Sequence, residues 1–181
     1  MTDSLFFDSD CISAFLWVGS ENLLTKLYSG RIVIPKPVYD ELSYPRVIHL
    51  KARVDTLLAV REAQIGVICT DTDDYDFYYR LTVKPDEGHT IIGKGEAAVI
   101  TLAKNHNGII ASNNLKDIHS YIKEYDLKHV TTGDILIEAL KHGFITESQG
   151  NKIWASMLAR RRRLGAASFS GYLKEKRCTK E

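Results

Sequence analysis

The chain has 181 residues, 44% of them hydrophobic and 26% charged, which suits one ordinary globular domain and excludes disordered, collagen-like and two-full-domain architectures. Its 24 Lys and Arg against 23 Asp and Glu leave a formal charge of +1, so no global field draws it to nucleic acid or a membrane. Any such affinity must come from local patches.

Cys11, Cys69 and Cys178 are odd in number and never in a Cys-x-x-Cys pair, which predicts reduced thiols in a cytoplasmic protein. The N-terminus has no basic n-region, and Asp8 interrupts its apolar run, so neither a signal peptide nor an anchor is expected. No apolar stretch reaches about 18 residues, so a transmembrane helix is not expected either.

In chain order, Leu5-Phe6-Phe7 reads as a buried strand, and so does Arg31-Ile32-Val33-Ile34 before Pro35. Helical spacing follows over 37–43 and 46–61, then a weaker strand over 65–69. The Asp- and Tyr-rich stretch 70–89 reads as a helix followed by an exposed loop. A helix over 95–105, a strand over 108–111, a helix over 115–125, a weak strand over 128–130 and a helix over 132–142 complete the alternation. Strand alternating with helix predicts a three-layer α/β/α domain over residues 1–145, with right-handed crossovers. Residues 146–181 read as a helical extension packed on that domain, a single C-terminal helix with a basic end at Arg160, Arg161, Arg162 and Arg163.

In parallel α/β sheets ligands bind at the carboxyl ends of the strands, which directs attention to the polar residues after each apolar run. Asp8-Ser9-Asp10 follows the first strand, Glu41 follows the second through Pro35 and Pro37, and Ser112-Asn113-Asn114 follows the fourth, with Asp117 one helical turn on. The Gly93-Lys94-Gly95-Glu96 turn opens another helix and puts Glu96 in its first turn. Asp8, Glu41, Glu96 and Asp117 are thus carboxylates from separate places predicted near one sheet edge. Such a gathering of like charge requires a hard cation, Mg²⁺ or Mn²⁺, and suits phosphodiester hydrolysis. Taken singly, each acid also has a plain structural reading as a cap or a dipole partner.

These residues resemble the PIN-domain family, metal-dependent ribonucleases that include many toxins of toxin-antitoxin pairs. The resemblance is carried by Phe6-Phe7-Asp8-Ser9-Asp10, by Ile34-Pro35 through Val38-Tyr39-Asp40-Glu41-Leu42, and by Gly95-Glu96-Ala97-Ala98 through Leu102-Ala103. Ile110 to Ile118 is similar to the family's Thr-x-Asn-x-x-Asp-Phe variant, with Ser112 in the Thr place, Asn114 in the Asn place and Asp117 as the acid. It implies a parallel sheet in the order 3-2-1-4-5 and an acidic pocket over its carboxyl edge. Asp8, Glu41, Glu96 and Asp117 would hold Mg²⁺ or Mn²⁺ there, Ser112 and Asn114 would orient ligands or water, and RNA would be hydrolysed. Asp10 is a tolerant supporting position, and Asp134 is either a substitute ligand or a helix cap. Many relatives carry an Asp pair where this chain has Asn113 and Asn114, amides that cannot neutralise a metal. The implied partners are RNA, with an antitoxin protein or a second copy of the chain as further ones the resemblance admits, and no membrane.

The basic run Arg160 to Arg163 would bring positive charge to phosphates, or it is simply a solvated helix end. Two other functions stay open. A haloacid-dehalogenase-like phosphatase would use Asp8 as nucleophile, Asp10 as acid/base and Gly133-Asp134 with Glu138 for its metal. A catalytically weak PIN-like module would bind RNA or protein without cutting.

Overall fold

The computed structural model describes residues 3–178, apart from the side chains of residues 115–117. Strands β1 (Leu5–Phe7), β2 (Ile32–Pro35), β3 (Ala63–Gly66), β4 (Ile109–Ala111) and β5 (Lys128–Val130) pair in parallel, in the order β3-β2-β1-β4-β5. The three residues of β1 and the apolar Ile32, Val33 and Ile34 of β2 are all buried, as expected of central strands covered on both faces. Phe7 lies level with Ala111, and Ala111 with Val130, so the strands end together. The next residues, Asp8, Ser112 and Thr131, therefore emerge side by side. The Asp8 amide still donates to the Ala111 carbonyl, and the Ser112 amide to that of Val130, each at 3.0 Å.

β3 begins earlier than its apolar run suggests and stops at Gly66, where a side chain would meet Leu102 at 2.8 Å and Val33 at 2.9 Å. Val67, counted by its hydropathy as strand, is exposed beyond the sheet.

Helices α1 (Ser9–Val18) and α2 (Glu21–Tyr28) fill the crossover from β1 to β2, and α3 (Lys36–Glu41) and α4 (Ile48–Ala59) the one from β2 to β3. Then come α5 (Asp73–Thr82), α6 (Lys94–Asn105), α7 (Leu115–Glu124) and α8 (Thr132–Lys141). Helix α6 packs with α3, α5 and α7, whereas α1 packs with α4 and α2 with α8, giving two groups of helices that flank the sheet. Asp8 starts α1 by accepting the Cys11 amide, and Gly19 ends it in the left-handed region at φ 69°, returning its amide to the Leu16 and Phe15 carbonyls. Among the described residues no helix is long and apolar enough to cross a membrane.

The C-terminal region departs from the single helix expected. It forms α9 (Glu147–Ala159) and α10 (Phe169–Cys178), with the arginine run in the turn between them. Arg161 adopts φ 57°, which breaks the helical path, and the Trp154 indole donates to the Ala166 carbonyl at 3.0 Å, folding the connection back over α9. α9 packs on α1, and α10 packs on α8 and α9. Two glycines permit this close approach. A side chain at Gly133 would meet the Tyr172 ring at 2.4 Å, and one at Gly150 would meet Phe169 at 2.3 Å.

Candidate active site

Asp8 is the centre of the site, only 4% exposed at the end of the middle strand. Its Oδ1 accepts the Cys11 amide at 2.7 Å and its Oδ2 accepts the Ser112 hydroxyl. These donors favour the ionised carboxylate, but burial outweighs them, and Asp10 and Glu96 add repulsion; the pKa is pushed up to about 7. Ser112 is itself held twice. Its hydroxyl accepts the Asn114 amide at 3.0 Å, and its carbonyl accepts the His129 Nε2 proton at 2.8 Å.

Glu41 ends α3, half-buried. Burial raises its pKa, a hydrogen bond from Ser9 opposes that rise, and Glu96 and Asp10 reinforce it. Glu96 lies in the first turn of α6, where the helix dipole favours an anion. The Gly-x-Gly spacing before it has a steric cause: a side chain at Gly93 would fall 2.2 Å from Glu96 Oε2, and one at Gly95 would fall 2.9 Å from Glu41 Oε1. Both carboxylates thus occupy room left by the missing side chains and would have to shift if one were added. The Asn114 amide reaches Glu96 Oε1 at 3.4 Å.

The structure therefore brings Asp8, Asp10, Glu41 and Glu96 within electrostatic reach of one another, with Ser112 and Asn114 among them. Asp117 falls in the span of α7, but its side chain lies outside the described residues. Asp134 is committed elsewhere. Its Oδ2 accepts the Thr131 amide and hydroxyl in a capping box, and its Oδ1 accepts from Tyr172 at 3.1 Å and pairs with Lys176 at 2.9 Å. Those partners hold its pKa low despite burial.

Sequence reasoning left Asn113 with no positive role, and the structure supplies one. Its Nδ2 donates to Thr132 Oγ1 and its Oδ1 accepts the Thr132 amide, both at 2.9 Å, tying the end of β4 to the start of α8. An ionised Asp could only accept here and would claim the Thr132 hydroxyl proton, whereas the amide donates to that hydroxyl and leaves it able to donate to Cys11 Sγ at 3.6 Å. The basic run divides its tasks. Arg162 Nη1 reaches Asp10 Oδ1 at 3.8 Å and Ser13 Oγ at 3.3 Å, Arg160 lies 5.4 Å from the centre of the Trp17 ring, and Arg163 is exposed beside a cavity under α10. Nothing in the spacing alone would place Arg162 at the first turn of α1, because that depends on how α9 turns back.

The donor set consists of carboxylate, hydroxyl and amide oxygens, the chemistry of a hard divalent cation rather than of zinc or copper. Among the described residues no group of three His, Cys, Asp or Glu side chains closes to metal-binding distance. In kind, the oxygens of Asp8, Glu41 and Glu96 fit Mg²⁺ or Mn²⁺.

A parallel sheet in the order β3-β2-β1-β4-β5, with acids from β1, α3 and α6 gathered over its carboxyl edge, defines a PIN-like α/β domain. The family model DUF3368, described as a PIN domain, matches residues 5–177, and the chain belongs to the PIN domain family. The match runs through α9 into α10. It replaces the phosphatase reading, whose metal acid, Asp134, is engaged in capping α8. No curated protein matches the chain.

Proposed function

We propose that this protein is a Mg²⁺- or Mn²⁺-dependent ribonuclease that hydrolyses RNA phosphodiester bonds. The observation that carries this reading is the convergence of Asp8, Glu41 and Glu96 in a desolvated site where ionisation of the first two is opposed by burial and by one another's neighbours. A bound cation would relieve that opposition and stabilise the charged form of the cluster.

Asp8, Glu41 and Glu96, with Asp117, would hold the metal, which when bound neutralises phosphate charge, lowers the pKa of water and stabilises the leaving oxyanion. Ser112 and Cys11 fix the Asp8 carboxylate so that it does not rotate. Asn114 steadies Glu96. Arg162 offsets the field of Asp10 and gives incoming phosphates a favourable approach. Attack by water needs no side-chain nucleophile, and among the charged carboxylates one oxygen must accept its proton.

A second reading, a PIN-like module that binds RNA without cutting it, is favoured by the amides Asn113 and Asn114 after β4, which cannot neutralise a metal's charge. A toxin role held in check by an antitoxin, and a homodimer, extend the proposal and rest on the resemblance alone. Cys11, Cys69 and Cys178 are free thiols, in keeping with a cytoplasmic setting.

The test is cleavage of a mixed single-stranded RNA pool with Mn²⁺ or Mg²⁺, comparing wild type with Asp8→Asn, Glu96→Gln and Asp117→Asn beside a generic phosphatase substrate. Metal-dependent cutting lost in all three variants supports the nuclease and identifies Asp117 as the fourth acid. RNA binding without cutting under either metal supports the second reading.

A further inference from the structure

Beside the acidic centre, on the β5 side, α8, α9 and α10 enclose a cavity of about 330 Å³. It falls in the lower part of the range for small-ligand pockets, roughly 300–1,000 Å³. Tyr172, 8% exposed and backed by the buried Trp154 with ring centroids 5.4 Å apart, forms an apolar wall, and Arg163 and Lys176 contribute cations. Asn113 and Gly165 also line it.

The two cations are not equivalent. Lys176 is neutralised by Asp134 at 2.9 Å, whereas Arg163 has no carboxylate partner among the described residues. The amides at the start of α8 are no anion site either, because Thr131 and Asp134 cap them. An apolar aromatic wall with a single uncompensated guanidinium suits an aromatic anion, and the cavity touches the acidic centre along two stretches of chain. Asn113 follows Ser112, which holds Asp8, and Arg163 follows Arg162, which reaches Asp10.

We infer that this cavity is a nucleotide subsite, taking one unpaired base of the RNA against the accessible edge of Tyr172 while Arg163 holds its phosphate. The inference rests on the ribonuclease reading for its substrate class. Single-stranded RNA is recognised mainly in this way, by splaying a base onto aromatic surface and pairing its phosphate with Arg.

The test is an amide NMR titration of the full chain, without metal and with EDTA, using adenosine, uridine, cytidine and guanosine 5′-monophosphates, and inorganic phosphate in parallel. Gly165→Leu is the blocking variant. A side chain there starts at ordinary contact distance, 3.5 Å from the Tyr172 ring, so it enters the cavity without straining the backbone. Arg163→Ala removes the exposed cation.

The expected result is saturable shifts at Asn113, Gly165 and Tyr172 with at least one mononucleotide, weakened about tenfold or more by either variant, and no such shifts with inorganic phosphate. Shifts elsewhere only, equal shifts with inorganic phosphate, or unchanged binding by a folded Gly165→Leu would overturn the subsite. RNA cleavage is scored separately. Cutting that survives without mononucleotide binding removes the subsite and leaves the nuclease standing, whereas mononucleotide binding without any cutting does the reverse.

Discussion

Asp8 and Ser112 lie 104 residues apart in the chain, yet the Ser112 hydroxyl donates to the Asp8 carboxylate at the ends of adjacent strands. The pairing of β1 with β4 brings them together, and Ser112 in turn is held by Asn114 and His129. The bond favours the charged form of an acid that burial pushes toward neutrality.

Ser112→Ala leaves Asp8 Oδ2 buried without that donor, and should cost about 1–3 kcal/mol of stability, the usual penalty for an unsatisfied buried group. It should also raise the Asp8 pKa further, moving the acid limb of any cleavage profile to higher pH. Ser112→Thr keeps the hydroxyl and should restore both. Denaturant unfolding and a pH–rate profile measure the two effects, and a Ser112→Ala protein with unchanged stability and profile would count against the role given to this bond.

The metal-free protein should lose stability as pH rises from about 4 to about 7. Asp8 has a folded pKa of about 7 against an ordinary 3.8, so between those values the folded state keeps a proton that the unfolded state has released. Unfolding then becomes easier with each step in pH, by a few kcal/mol in all at about 1.4 kcal/mol per unit. Glu41, raised by burial, acts in the same direction. Asp134 acts oppositely, its depressed pKa contributing stability that disappears only in acid. Melting temperatures near pH 5 and pH 8, with and without Mg²⁺ or Mn²⁺, are the measurement. The cation should raise the melting temperature more at the higher pH, and Asp8→Asn should flatten the metal-free trend; a metal-free trend that rises instead would refute the assignment.

The sheet was legible because its central strands are buried on both faces and read as short apolar runs. Glu41 and Glu96 were legible because a Pro-led helix and a Gly-x-Gly turn precede them, and the glycines prove to make room for those very carboxylates. The two-helix C-terminus was not legible. It depends on a left-handed Arg161 and on the Trp154 indole finding the Ala166 carbonyl, contacts with no local periodicity. Asn113 was opaque for a related reason, since its partner Thr132 is 19 residues away and belongs to another element.

Arg162→Ala should change stability by less than about 1 kcal/mol, because its contact with Asp10 is partly exposed and long at 3.8 Å. Its effect should fall on RNA instead. KM should rise with little change in kcat, and the slope of log affinity against log salt should shrink by about 1, the signature of one lost phosphate contact. Binding isotherms at several salt concentrations decide this, and an unchanged slope would place Arg162 off the RNA path.

Gly133→Ala tests whether α10 is seated on the domain through Tyr172. The added methyl would sit 2.4 Å from that ring, which is 8% exposed and cannot move outward without breaking its hydrogen bonds to Thr131 and Asp134. Overpacking of this kind typically costs about 1–3 kcal/mol. Displacing Tyr172 would also separate Lys176 from Asp134, so proteolysis should cut first between α9 and α10. Pairing Gly133→Ala with Tyr172→Ala relieves the clash, and the double variant should then lose no more stability than Tyr172→Ala alone. A Gly133→Ala penalty that persists in the Tyr172→Ala background would show that the glycine serves α8 itself and not the docking of α10.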